Sequence, residues 1–122
     1  MKRLYAVRGA VCSENTKEDI SKNVHQMCDA IFSENGIKSE DLVSIQFTMT
    51  KDLDEYNACA ALRKSGPCID CSQVALFCSQ EAEIKGMLPK CIRVMVTCYL
   101  EEGKEIRNIY MNGADVLRPD RK

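Results

Sequence analysis

Arg93 stands in the middle of the most apolar stretch of this sequence, between Ile92 and Val94, with Cys91 and Met95 next on either side. A guanidinium in such a run has two readings. It reaches from a sheet edge toward solvent or a carboxylate, or it is held rigidly in a partly dry site and aimed at an anionic ligand. Arg8 repeats the pattern: it ends an apolar run and precedes Gly9, a residue that lets another group approach the backbone closely. Glu81, following Gln80 at the end of a strand-like segment, adds a carboxylate, and Arg63, Arg118 and Tyr110 add two cations and a phenol. Taken one at a time, each of these reads more readily as an ordinary surface group than as part of a site. The only histidine, His25, lies within a helical segment, which argues against imidazole-based nucleophilic catalysis. The sequence shows no P-loop, dinucleotide fingerprint or Ser/His/Asp set.

The eight cysteines suggest other chemistry, above all the Cys68-Ile69-Asp70-Cys71 pair. A zinc site would want a second pair of similar spacing, and the remaining cysteines are single. A thioredoxin-like pair would sit at a helix N-terminus after a strand, whereas this one follows a Gly-Pro turn and precedes a strand. The expectation is therefore reduced, mostly structural thiols, as in a cytoplasmic protein, with no metal and no cofactor.

The elements that must position these residues follow from periodicity. Residues 3–11 alternate as a strand, with Leu4, Ala6, Arg8 and Ala10 on one face and Tyr5, Val7 and Gly9 on the other. Asn15 with Glu18, or Thr16 with Asp19, can cap a helix carrying the stripe Ile20, Val24, Met27, Cys28 and Ile31, which Gly36 stops. A short turn at 39–41 leads to a strand over 42–50 in which Val43, Ile45, Phe47 and Met49 alternate. A second helix spans 54–64, and strands follow at 73–81, 90–100 and 108–112. The order β-α-β-α-β-β-β predicts a single α+β domain over residues 1–122, a mixed sheet with two helices on one face. Two helices leave the other face uncovered, a weak argument for oligomerisation. The net charge of −1 removes the global basic field that nucleic-acid binding favours, although local basic clusters could hold a small anion. No apolar run approaches the roughly 18–20 residues of a membrane span, and Arg8 interrupts any signal-peptide core, so neither membrane nor secretion is expected.

Several segments together resemble the AroH-type chorismate mutases. They are Val7-Arg8-Gly9-Ala10, Phe47-Thr48-Met49-Thr50 with Asp52-Leu53, Cys78-Ser79-Gln80-Glu81, Lys90-Cys91-Ile92-Arg93-Val94-Met95, Ile109-Tyr110 and Val116-Leu117-Arg118-Pro119-Asp120. They occur in family order and span nearly the whole chain. The resemblance implies a homotrimer of the chorismate mutase/YjgF-like class, its three sheets forming a barrel-like core with active sites in clefts between subunits. It implies the rearrangement of chorismate, a dicarboxylate, to prephenate, which needs neither proton transfer nor covalent intermediate. By the same resemblance Arg93 is a donor to the ether oxygen, Glu81 accepts from the ring hydroxyl, and Arg8 and Tyr110 bind carboxylates. Cys78 contacts the same region through its backbone or thiol, and Phe77, Arg63, Leu117 and Arg118 line the mouth, some of them from the neighbouring subunit.

Three departures from the family pattern stand out. Thr50-Lys51-Asp52-Leu53 lacks the usual proline, Asn57-Ala58-Cys59 replaces Phe-Pro-Ala on the apolar cleft wall, and the tail ends early at Arg121-Lys122. The altered wall motivates an alternative, a trimer that binds a carboxylate metabolite without turnover. An imine deaminase of the YjgF-like type is a further alternative, against which Glu81 and the Cys-Ile-Arg-Val strand argue.

Overall fold

The computed structural model describes residues 1–117; Arg118, expected at the mouth of the site, lies outside them. Five strands form one mixed sheet: β1 (Lys2–Cys12), β2 (Leu42–Met49), β3 (Ala75–Gln80), β4 (Cys91–Glu101) and β5 (Ile109–Met111), in the order β3-β2-β4-β1-β5. β4 runs antiparallel to both β1 and β2, while β3 and β5 pair in parallel at the two edges. Two helices, α1 (Lys17–Asn35) and α2 (Ala58–Ser65), pack against each other, α1 over β1 and β5 and α2 over β2 and β3.

The core lies between that helix layer and one face of the sheet. Ile92, Val94, Val96, Cys98 and Leu100 of β4 meet Val7 and Val11 of β1, Ile45 and Phe47 of β2, and the α1 stripe Ile20, Val24, Met27, Cys28 and Ile31. The period of two read from the sequence thus sorts β4 correctly, and Arg93, Met95 and Tyr99 point to the opposite face. Gly9 is required by close approach: a Cβ there would meet Ile31 Cδ1 of α1 at 2.9 Å, with Val94 Cγ1 and the Ile109 carbonyl oxygen at 3.1 Å.

Helix α1 begins at the second of the two caps the sequence offers, Thr16 Oγ1 accepting the Asp19 N–H at 3.1 Å, and ends at Gly36 in the left-handed region. The reciprocal half of the capping box does not form, because the Asp19 carboxylate takes the Glu14 N–H instead. Helix α2 starts at Ala58 rather than Asp54. The N–H groups of Asp54 and Glu55 are both donated to Asn15 Oδ1 at 3.0 Å, so the chain turns there, and Asn57 becomes the cap by accepting the Cys59 N–H at 2.8 Å. Val43, expected to face the core, is 43% exposed. A register shift between Leu42 and Ser44 against β4 displaces it. Among the described residues no helix is long and apolar enough to cross a membrane.

Candidate active site

The face of the sheet that the helices leave bare carries the charged side chains. β4 is central, and Arg93 projects from it directly opposite Thr48 of β2 and Ala10 of β1. Arg8 lies two residues before Ala10 on the same face, and the parallel pairing of β5 with β1 sets Tyr110 opposite Ala10. Glu81 comes from the other side: β3 runs parallel to β2, and the Glu81 N–H continues that ladder by donating to the Met49 carbonyl at 2.8 Å. These four residues line one cavity of about 260 Å³ together with Gln46, Thr48 and Met95. A site that encloses a small ligand usually measures some 300–1,000 Å³, so this is an open half-cleft.

Within it, Thr48 Oγ1 donates to Glu81 Oε1 at 2.5 Å, and Arg93 Nε lies 3.6 Å from the same oxygen. Arg93 is half exposed and Glu81 less so (48% and 27% of their side chains). The backbone N–H of Arg8 donates to Asn108 Oδ1 at 2.8 Å, and its guanidinium makes no ion pair among the described residues. Among the described residues two guanidiniums therefore line the cleft with one carboxylate, a net positive set with a phenol beside it. Such an arrangement binds a dicarboxylate and still offers a carboxylate to a hydroxyl.

The remaining expected residues lie elsewhere in the single chain. The Cys78 side chain packs with the helix-side core, where burial pushes its thiol up and the Ala58 backbone partly offsets this. Phe77, on the bare face, is 61% exposed. Leu117 joins a small cluster with Ala10, Cys91, Ala114 and Tyr110, behind the Tyr110 side of the cleft. Arg63 lines a separate cavity beside Pro67 and Cys71. Gln46, Thr48 and Met95 were not singled out from the sequence. Their alternation with Ile45, Phe47, Val94 and Val96 placed them off the core, but the β2–β4 register that sets them beside Arg93 was not legible.

Burial raises the Cys71 and Cys91 thiols to about 11 each, and it also raises Cys68. Among the described residues no group of three metal-ligating side chains could hold an ion. One constellation absent from the linear sequence does assemble: His25 Nδ1 lies 3.0 Å from Ser65 Oγ and Nε2 lies 3.1 Å from Asp29 Oδ2. It joins α1 to α2 rather than forming a nucleophile. Ser65 Oγ donates to the Leu62 carbonyl, Asp29 also accepts the Cys68 N–H, and the last turn of α2 presents carbonyls where an oxyanion would need donors.

Known proteins of similar sequence and structure share one description. The sequence profile of the family described as chorismate mutase type I matches residues 4–121. Chorismate mutase AroH of Bacillus subtilis is 37% identical over 117 residues, covering 93% of this chain and 89% of that protein. Its counterpart from Thermus thermophilus is 32% identical over 117 residues, covering 93% of each. A solved chorismate mutase from Clostridium thermocellum superposes with a TM-score of 0.84 at 36% identity, covering 92% of this chain and 98% of that one.

Proposed function

The chain belongs to the chorismate mutase type I family, and on that premise we propose that its bare-face cleft is where chorismate rearranges to prephenate, the isomerase step that leads toward phenylalanine and tyrosine. The observation that carries the assignment of residues is the convergence of Arg8, Glu81, Arg93 and Tyr110, from four strand segments, on one cavity. The reaction breaks an ether C–O bond as a C–C bond forms, so no group has to give or take a proton. What the protein supplies is the folded conformer of a flexible dianion and charges placed in advance. Arg93 donates to the ether oxygen, where negative charge grows, and contacts a carboxylate. Arg8 and Tyr110 hold the substrate carboxylates. Glu81 accepts from the ring hydroxyl, near the carbon skeleton that becomes electron-poor.

The half-open cleft is completed by a second copy. The bare face exposes Leu4, Phe77, Met95 and Tyr99, an apolar surface without a helix to cover it. We assign it to the interior of a homotrimer, three sheets closing into a barrel as in the chorismate mutase/YjgF-like class. Phe77, Cys78 through its backbone, Arg63, Leu117 and Arg118 then contribute to clefts shared between neighbours. The cytoplasm is the compartment this reading assigns, since eight unpaired thiols suit reducing conditions. The test is loss of chorismate absorbance with prephenate identified chromatographically, without added cofactor and with or without chelator, on protein whose mass is set by sedimentation. Cofactor-independent turnover by a trimer is expected. Folded, trimeric protein without turnover would overturn the assignment, and full activity in a monomer would overturn the shared cleft.

A further inference from the structure

We infer that Thr48 is a positioning residue for Glu81: its hydroxyl holds the carboxylate away from Arg93, so that both charged groups stay available to substrate. The inference rests on the roles proposed for Glu81 and Arg93. An arginine and a glutamate facing each other across a cleft frequently close to a bidentate pair at about 2.7–2.9 Å. Here the pair stays open, with Arg93 Nε 3.6 Å from Glu81 Oε1, beyond hydrogen-bond length. The Thr48 hydroxyl supplies the reason, because it donates to that same Oε1 at 2.5 Å.

The placement is built by the sheet. Thr48 is the β2 residue directly opposite Arg93 of β4, and Ser79 of β3 is its neighbour on the other side, two residues before Glu81. A β-branched side chain in a strand has few χ1 states, so the hydroxyl is fixed at little entropic cost. Among the described residues no protein hydrogen bond reaches Glu81 Oε2, which is left free to accept from a ligand hydroxyl. Without Thr48 the carboxylate would swing onto the guanidinium. The cation meant for the ether oxygen and the acceptor meant for the ring hydroxyl would then neutralise each other.

The experiment compares Thr48→Val, which removes only the hydroxyl, with Thr48→Ser, which keeps it. Valine suits a strand at least as well as threonine, so the fold is expected to persist, and thermal unfolding checks it. A hydrogen bond to a charged group has the strength to change rate by about 10- to 100-fold. Thr48→Val should lower kcat by that factor and leave KM within about threefold, and Thr48→Ser should restore most of the rate, as expected of such a donor. In a Glu81→Gln background the valine change should add little, because both act through one contact. A crystal structure of Thr48→Val should show the Glu81–Arg93 separation closed below about 3 Å. Wild-type kcat in Thr48→Val, failure of serine to rescue, or an unmoved Glu81 would overturn the inference. If the wild-type protein itself fails to turn over chorismate, the reading of the site falls, and the crystal structure of the valine variant alone still decides what holds Glu81.

Discussion

Replacing Arg93 with alanine should separate catalysis from folding more cleanly than any other single change. The structure limits what the side chain contributes to stability. It is 48% exposed, it packs on the bare face rather than in the core, and its one ion pair among the described residues, with Glu81, spans 3.6 Å. Pairs of that kind contribute about 0–1 kcal/mol. The melting temperature of Arg93→Ala should therefore fall by no more than about 5 °C for a chain of this size. The rate is a different matter. A donor fixed in advance where transition-state charge develops is worth about 3–4 kcal/mol, so kcat should drop roughly 10²- to 10³-fold. The lost carboxylate contact should reduce kcat/KM further. Arg93→Lys restores the charge but not the planar fork, and one ammonium cannot reach an ether oxygen and a carboxylate together, so it should recover little. Chorismate absorbance decay and thermal unfolding on the same samples give both numbers. A folded Arg93→Ala protein with kcat within tenfold of wild type would refute the electrostatic role, as would near-complete rescue by lysine. A stability loss of several kcal/mol would instead make Arg93 a structural residue.

Other changes probe the frame around the cleft. Asp52 accepts the Lys90 N–H at 3.0 Å and the Thr50 hydroxyl, while Thr50 Oγ1 accepts the Cys91 N–H, so this loop fixes the start of β4 just before Arg93. Asp52→Ala should destabilise by about 1–3 kcal/mol in urea unfolding, since it leaves the buried Thr50 hydroxyl without its acceptor; a change under about 0.5 kcal/mol would refute that role. Gly36→Ala places a side chain at φ 61° and should cost about 1 kcal/mol by the same assay, with unchanged stability counting against the cap. Thiol labelling should report burial: Cys68, the exposed one, reacts first at neutral pH and Cys28 last. Thiolate is the reactive form, and burial raises Cys59, Cys71, Cys91 and Cys98 to about 11, so their labelling should keep accelerating toward that pH. A plateau near the ordinary value of 9.0 would contradict the burial. The same shifts have a sign for stability. Folded thiols keep protons that unfolded ones release, so their contribution is complete below about pH 9 and declines between pH 9 and 11.

The parts of this fold that were legible in the sequence are those set by neighbours within one element. β4 declares itself because Ile92 to Leu100 alternate without interruption, and the same alternation turns Arg93 outward. Helix α1 declares itself through Thr16, its apolar stripe and Gly36. The start of α2 was misplaced because the competing partner, Asn15, is 39 residues away and captures the Asp54 N–H. Val43 was misplaced because a bulge depends on the partner strand as much as on its own residues. The Ser65–His25–Asp29 chain escaped notice for a related reason: its members meet only once two helices pack. For the cleft, residue types were readable and their convergence was not. Arg8, Glu81, Arg93 and Tyr110 became a set through resemblance to a family, while Thr48 fell within a resembling segment but was given no role, since the register between β2 and β4 sets it opposite Arg93.

The division of labour between the two faces explains why the candidate site lies where it does. Placing Arg93 or Arg8 on the helix-side face would bury a guanidinium among Ile92, Val94 and Phe47, at a desolvation cost of several kcal/mol even if a partner were found. On the bare face each guanidinium keeps water until something covers it. In the proposed trimer the covering surface is another subunit, which arrives together with further polar groups and excludes bulk solvent only when the cleft is complete. Interactions weak in the open half-cleft then gain strength as the local dielectric falls. A pair left open at 3.6 Å becomes more consequential under those conditions, because a low dielectric also deepens the attraction that would close it. The drier the completed cleft, the more the Thr48 hydroxyl is needed to keep Glu81 and Arg93 apart, so assembly and the positioning of that carboxylate are linked through the same change in environment.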